Sequence, residues 1–205
     1  MKRFLNHFTK DNQTQARPIT CDVGSNTEII EFLSRYNGTS FNRGQYRLLG
    51  SYELEAWTKI VQAAFPTFSD ILCFGYDWLG RFFAMKPKNS KIILMFDVDT
   101  GNALEIPATF IDFHNIELVD YANEALAQKA FDEWAATQEQ ALGRMECVSY
   151  KIPLHLGGND ELSNRKRVDL QVHWELGAQI LDQLAPLTEG DRISEIRKII
   201  DPTFS

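Results

Sequence analysis

Four segments rich in β-branched and aromatic residues follow one another between residues 71 and 106, and the links between them are short. The segments are Ile71–Tyr76, Arg81–Met85, Lys91–Val98 and Ala103–Ile106. The links are Asp77-Trp78-Leu79-Gly80, Lys86-Pro87-Lys88-Asn89-Ser90 and Asp99-Thr100-Gly101-Asn102. A parallel neighbour needs a crossover of a dozen or more residues, so three such links in succession impose an antiparallel meander. Gln45–Leu49 adds a possible short strand before it.

Helical patterns stand on both sides of the strands. Ser25-Asn26-Thr27-Glu28 has the spacing of a capping box, Ile29, Ile30, Leu33 and Tyr36 follow at helical intervals, and Asn37-Gly38 supplies the stop. Ser51 is expected to cap a helix over 52–65, with Leu54, Trp57, Ile60, Val61 and Ala64 on one face and Phe65-Pro66 at its end. A helix is predicted over 120–142, with Leu126, Ala130, Phe131, Trp134 and Leu142 as its apolar stripe. Val148–Leu156 reads as extended, with Pro153 at an edge or strand end, and 157–160 as a turn. A further helix is predicted over 168–184, carrying Val172, Leu176, Ile180 and Leu184, and a short one over 188–200. Helices gather at the two ends of a run of strands instead of alternating with them. The expected class is therefore α+β, an antiparallel sheet meander flanked by helices. Its parts are an irregular lead-in (1–26), a single domain (27–185) and a helical tail (186–205).

The composition suits one globular domain: 205 residues, 44% hydrophobic and 24% charged. The longest apolar run, Ile92–Phe96, is far short of the roughly 20 residues of a membrane span, so no membrane partner is expected. Asn6, His7, Thr9, Lys10 and Asp11 interrupt any signal-peptide core, and three cysteines give no disulfide framework. A cytoplasmic protein with reduced thiols is the expectation. Charge is uneven. Residues 97–150 hold eleven acids against only Lys129 and Arg144, which exceeds the net charge of −7 of the whole chain. A field of that sign repels nucleic acid and attracts basic partners.

Motifs for chemistry are sparse. There is no Gly-rich phosphate loop, no His-Glu-x-x-His, no Cys-x-x-Cys and no Gly-x-Ser-x-Gly. Asp97-x-Asp99-x-Gly101 has the start of a calcium loop without its remaining ligands, and it falls where a hairpin turn belongs. His155 and His173 have no cysteine ligand near them. A hydrolase would have to use His114 beside Asp112, or Cys147; a loop histidine and a buried small cysteine are the plainer readings. No catalytic residue, metal ligand or cofactor is assigned. Phe74-Gly75-Tyr76-Asp77-Trp78-Leu79-Gly80-Arg81 admits two readings. It is a tight hairpin in which Trp78 packs and Asp77 pairs with Arg81 or caps the turn, or it is an exposed aromatic anchor built on Tyr76 and Trp78.

That same octapeptide resembles the glycine-and-aromatic hairpin of SUKH-like immunity proteins. Glu146-Cys-Val-Ser-Tyr-Lys-Ile-Pro-Leu-His-Leu-Gly-Gly158, followed by Asn164, Asp169 and Val172-His173-Trp174-Glu175, resembles the C-terminal domain of type VI secretion DNase-immunity proteins. The likeness spans residues 40–185. It implies a SUKH-like fold and a protein that is not an enzyme. It further implies an immunity protein that binds and neutralises a cognate secreted toxin, a basic nuclease domain, in the bacterial cytoplasm. A non-catalytic regulatory or scaffolding domain of the same fold is the alternative. The charge balance nominates Asp97, Asp99, Asp112, Glu117, Asp120, Glu124, Asp132 and Glu133 as the face toward such a toxin, with Tyr76 and Trp78 as the uncharged candidates.

Overall fold

The computed structural model describes residues 1–24, 26–87, 89–154 and 157–185. The meander is present as β3 (Leu72–Asp77), β4 (Phe82–Lys86), β5 (Asn89–Asp97) and β6 (Asn102–Ile106). With β1 (Ser40–Phe41) and β2 (Tyr46–Leu48) it makes a six-stranded antiparallel sheet in sequential order. The register shifts between Cys73 and Gly75, a bulge that puts Phe74 and Tyr76 on opposite faces although they are two residues apart. Tyr76 stacks on Phe82 at 5.2 Å, and Phe82 meets Trp57 and Trp174 on that face. Phe74 meets Phe110 and Phe113 on the other. Gly75 fits because a Cβ there would lie 2.7 Å from the Arg47 carbonyl oxygen.

Each face carries a helical layer. α3 (Leu54–Ala64) and α8 (Leu170–Leu184) bring Trp57, Phe65 and Trp174 onto Phe82 and Phe96. Opposite them lie α1 (Lys2–His7), α2 (Thr27–Arg35) and a run of short segments: α4 (Phe110–Asp112), a π turn (Phe113–Glu117) and α5 (Leu118–Asp120). β7 (Glu146–Tyr150) and β8 (Arg165–Asp169) form a separate antiparallel pair.

Several boundaries depart from the sequence reading. Residues 1–26 are not wholly irregular: Lys2–His7 is helical, because Phe4 and Phe8 stack at 4.5 Å and bury themselves in the aromatic core. Asn26 caps α2, its side chain accepting from the Glu28 and Ile29 N–H groups; Ser25 lies outside the described residues. Ser51 does not cap α3. Its N–H donates to Asn37, the helix starts at Leu54, and Glu53 reaches back to the Gly50 N–H. The expected extended segment stops at Tyr150, where its pairing ends opposite Arg165. β8 occupies what was expected as the start of the 168–184 helix, so α8 begins only at Leu170, capped by Asp169. The 188–200 helix and the 186–205 tail lie outside the described residues.

The largest departure is the helix expected over 120–142. It is two helices, α6 (Ala122–Leu126) and α7 (Gln128–Ala136), hinged at Ala127 with φ +51°, and Leu142 sits in the loop beyond. Tertiary bonds take the carbonyls at the break: Trp78 Nε1 donates to Leu126 at 2.7 Å and Arg81 Nη2 to Ala125 at 3.1 Å. The break turns α7 off the sheet. Phe131, Trp134 and Ala135 instead close a second, smaller core with Trp78, Leu142 and Val148.

The β3–β4 turn joins all these parts. Asp77 is fully buried; its Oδ1 accepts from the Leu79 and Arg81 N–H groups and its Oδ2 from the Arg81 side chain at 2.7 Å. Trp78 N donates to Gln45, Val148 N donates to Trp78, and Trp174 Nε1 donates to the Gly80 carbonyl at 2.8 Å. One tight turn thus ties β2, α6, β7 and α8 together. Removing Arg81 strands a buried carboxylate. Arg81→Met is expected to cost about 3–5 kcal/mol in urea unfolding, and adding Asp77→Asn to recover part of that loss. A loss below about 1 kcal/mol would show that the pair does not hold the junction. Ala127→Gly relieves a left-handed alanine, and is expected to raise stability by about 0.5–1 kcal/mol in the same assay.

Candidate interaction surface

The acidic candidates are distributed by the helical run after β6. Thr109 caps α4, accepting from the Asp112 N–H and donating its hydroxyl to the Asp112 carboxylate at 2.7 Å. Phe110, Phe113, Leu118 and Leu126 turn inward, which leaves Asp112, Asp120, Glu124, Asp132 and Glu133 exposed and Glu117 half-buried. Asp120 is already engaged. Arg3 of α1 donates to both its oxygens, at 2.9 and 2.6 Å, and that hydrogen bonding holds its carboxyl below the usual range. Asp132 accepts from Gln128 one helical turn back.

Asp97 and Asp99 belong elsewhere. The Asp97 carboxylate accepts from the Asp99 and Thr100 N–H groups and shapes the β5–β6 turn. That turn packs on α8: a Cβ on Gly177 would lie 2.4 Å from Val98. Asp99 points inward, with Ser149 Oγ at 3.4 Å and His173 Nε2 at 3.7 Å, and only 12% of its side chain is exposed. The eight carboxylates therefore do not share one patch. Asp97 and Asp99 lie in the α8 layer, while Asp112, Glu117 and Asp120 lie across the sheet.

Tyr76 and Trp78 are not exposed anchors. They are 1% and 0% exposed. Tyr76 donates its hydroxyl to the Arg144 carbonyl, with the Arg47 guanidinium over its ring at 5.3 Å. Trp78 is enclosed by Phe131 and Trp134, with Arg165 over its ring at 4.9 Å. Of the two readings of the octapeptide, the packed hairpin is the one formed, because α7 and the β7–β8 pair close over it.

The Asp99 carboxylate lines a groove of about 220 Å³ between α8 and the β7–β8 pair, shared with Ser149, Lys166, Val172, His173 and Leu176. Burial, helped by Asp97, pushes Asp99 up to about 7. Burial holds His173 down to about 4 and His114 down to about 3. His114 is enclosed by aromatic rings; its Nδ1 donates to the Phe110 carbonyl at 2.8 Å, so its Nε2 accepts from the Tyr46 hydroxyl at 2.9 Å. It is a neutral core group with no access to Asp112 chemistry. Cys147 is buried and its thiol pushed well up, away from a nucleophile. Among the described residues no group of three or more His, Cys, Asp or Glu side chains is placed to hold a metal; His155 lies outside them.

Residues 109–181 match the family model of the T6SS immunity protein Tdi1, C-terminal. The matched segment runs from the Thr109 cap into α8 and contains both acidic helices, the β7–β8 pair and the Asp99 groove's far wall. The match to a type VI secretion immunity family points to a non-catalytic protein. Among solved structures the chain is similar to Atu4351 from Agrobacterium tumefaciens, at 16% identity and a TM-score of 0.62, over 87% of this chain and 89% of that one. The likeness is one of fold. No curated protein matches the sequence.

The sequence did not disclose that Arg3 would claim Asp120, or that Ser149 and His173 would face Asp99; these pairs are 50 or more residues apart. Burial makes the titrations of the two histidines and of Asp99 oppose each other. The folded pKa values of His114 and His173 lie below the ordinary 6.5, so the unfolded chain binds the extra protons and stability is lost as pH falls from about 6.5 toward 4. The folded pKa of Asp99 lies above its ordinary 3.8, so the folded state keeps a proton and stability falls as pH rises from about 4 through 7. Between pH 5 and 6 Asp99 therefore offsets one histidine. Asp99→Asn is expected to steepen the loss of unfolding free energy on acidification by about 1.4 kcal/mol per pH unit, read from urea titrations at several pH values. Equal slopes in parent and variant would contradict the inward, proton-holding Asp99.

Proposed function

We propose that this chain is an immunity protein that binds and neutralises a cognate secreted toxin in the cytoplasm of the cell at risk, and that the toxin is a basic nuclease. The family match over residues 109–181 carries the first part. Charge supports the second. A nuclease is basic where it holds phosphates, and an acidic inhibitor is steered to such a surface and matched to it. The exposed carboxylates of α4, α6 and α7, namely Asp112, Glu124, Asp132 and Glu133, are the proposed contacts, with Glu117 at their margin. Asp120 contributes less, because it shares its charge with Arg3. Asp97 and Asp99 are left out of the proposed contacts, since Asp97 bonds its own turn and Asp99 points inward. Trp78 supports α6 and α7 from beneath, and Tyr76 is buried on the face of Phe82 and Trp57. Among the described residues no helix is long and apolar enough to cross a membrane.

The test is association with the product of the adjacent gene, followed by rapid mixing across a salt series. The parent is expected to associate fast at low salt and to slow steeply as the Debye length shrinks from about 30 Å at 0.01 M to 10 Å at 0.1 M. Glu124→Lys/Asp132→Lys/Glu133→Lys is expected to slow association about ten-fold or more at low salt and to flatten the salt slope, with little change in dissociation. Equal rates and slopes would exclude the acidic helices from recognition. Failure of the two proteins to bind at all would refute the immunity reading.

A further inference from the structure

The two edges of the six-stranded sheet are treated differently. β1 is covered by the chain itself: Lys10 bridges Phe41, the Asp11 N–H donates to the Ser40 carbonyl, and the Asp11 carboxylate takes the Arg43 and Gly44 N–H groups. At the other edge, β6 has β5 as its strand neighbour and no further strand beyond it among the described residues. Both faces of β6 reach solvent. Asn102, Leu104 and Glu105 are exposed, Leu104 to 51%, while Ala103 and Ile106 are half-buried. Proteins blunt free edges with charges, prolines, bulges or very short strands. β6 has five residues, one charge, no proline and an exposed leucine.

We infer that the outer edge of β6 seats an extended, basic strand of the toxin, which joins the sheet by main-chain pairing; this rests on the immunity reading and names how the partner docks. Main-chain bonds supply affinity in this mode, and alternate side chains supply specificity. Leu104 stands on the face of Met95 and Glu105 on the face of Leu94. The complementary strand puts an apolar residue opposite Leu104 and a lysine or arginine opposite Glu105. The charge on the strand and next to it in the chain is acidic. Glu105 is exposed on β6, Asp97 is half-buried at the turn before it, Asp112 is exposed on α4 after it, and residues 97–112 contain no lysine or arginine; Lys91 on β5 is itself engaged. The same charges oppose self-pairing, because two β6 edges would bring these carboxylates together twice over. β6 ends three residues before the matched segment and six before the exposed Asp112 of α4.

Hydrogen exchange of residues 102–106 tests this, measured in the free protein and in its complex with the adjacent gene's product. The outward-facing amides are expected to exchange fast in the free protein and at least ten-fold more slowly in the complex. Leu104→Lys/Glu105→Lys is expected to keep the parental unfolding midpoint and to lose at least ten-fold in affinity, while Leu104→Val/Glu105→Asp binds as the parent does. A complex that forms with β6 exchange unchanged, or with the charged double variant binding normally, overturns the edge docking and leaves the immunity reading standing. Amides already slow in the free protein overturn it too, since the edge is then occupied. Protection that grows with the concentration of the free protein would assign the edge to a second copy instead. If no complex forms, both readings fall.

Discussion

A fully buried carboxylate cannot stand alone, and the Asp77–Arg81 pair is how this protein meets that constraint at its busiest junction. Burial pushes the Asp77 carboxyl up, and the Arg81 guanidinium four residues on opposes that with charge and hydrogen bonds. Because both partners come from one turn, the pair fixes the turn's shape with local bonds. The backbone groups of that turn are then presented to neighbours that arrive from far along the chain. Trp174 is 94 residues away from the Gly80 carbonyl it binds, and Leu126 is 48 residues from the Trp78 indole that donates to it.

The second, smaller core follows from that arrangement. Trp78 leaves the sheet at the turn and becomes the centre around which Phe131, Trp134 and Val148 assemble. Two arginines of β8 close it from above, Arg165 over Trp78 and Arg167 over Trp134. Arg47 is a third guanidinium nearby, fully buried, donating to the Leu142 and Gly143 carbonyls and lying over Tyr76. Cations on aromatic faces let polar strand residues seal an apolar cluster; Arg47 does so at full burial, with its Nε and Nη1 left without a hydrogen-bond partner. The result is a rigid base beneath α6 and α7, whose outward sides carry Glu124, Asp132 and Glu133.

A binding protein of this kind needs exposed, unshared charge, and the fold decides which charges qualify. Asp120 is committed to Arg3, Asp99 to the space between β7 and α8, and Asp97 to its own turn. Of the carboxylates that remain outward, Glu124, Asp132 and Glu133 lie on α6 and α7, where the Asp77–Arg81 turn bonds the Ala125 and Leu126 carbonyls, and Asp112 lies on α4. Structural and outward-facing carboxylates are thus different residues of the same acidic segment. Among the described residues β6 has no strand beyond it, so its outer backbone donors and acceptors are a feature that the count of charges does not contain.

The antiparallel meander was legible in the sequence because short links permit only hairpins, a local steric rule. The amphipathic stripes of α2 and α3 were legible for the same reason, as were the inward Trp134 and the Asp77–Arg81 pair four residues apart; the α8 stripe expected on Val172, Leu176, Ile180 and Leu184 was not, because α8 buries Leu170, His173, Trp174 and Gly177 and leaves Val172 and Leu176 exposed. The charge excess of residues 97–150 was also plain. Other features depended on contacts between distant parts of the chain. Ala127 breaks a helix that its own sequence would continue, since Trp78 and Arg81 claim the freed carbonyls. Phe4 and Phe8 order an apparently polar lead-in by entering a core built elsewhere. β8 formed from a polar stretch because β7 lay beside it to pair. Tyr76 and Trp78, which suit an interface as well as a core, were assigned to the core only when the segments after residue 125 folded over them. Sequence determined the sign and amount of charge; tertiary structure decided which carboxylates face water, because burial and pairing depend on neighbours that the chain brings together only on folding.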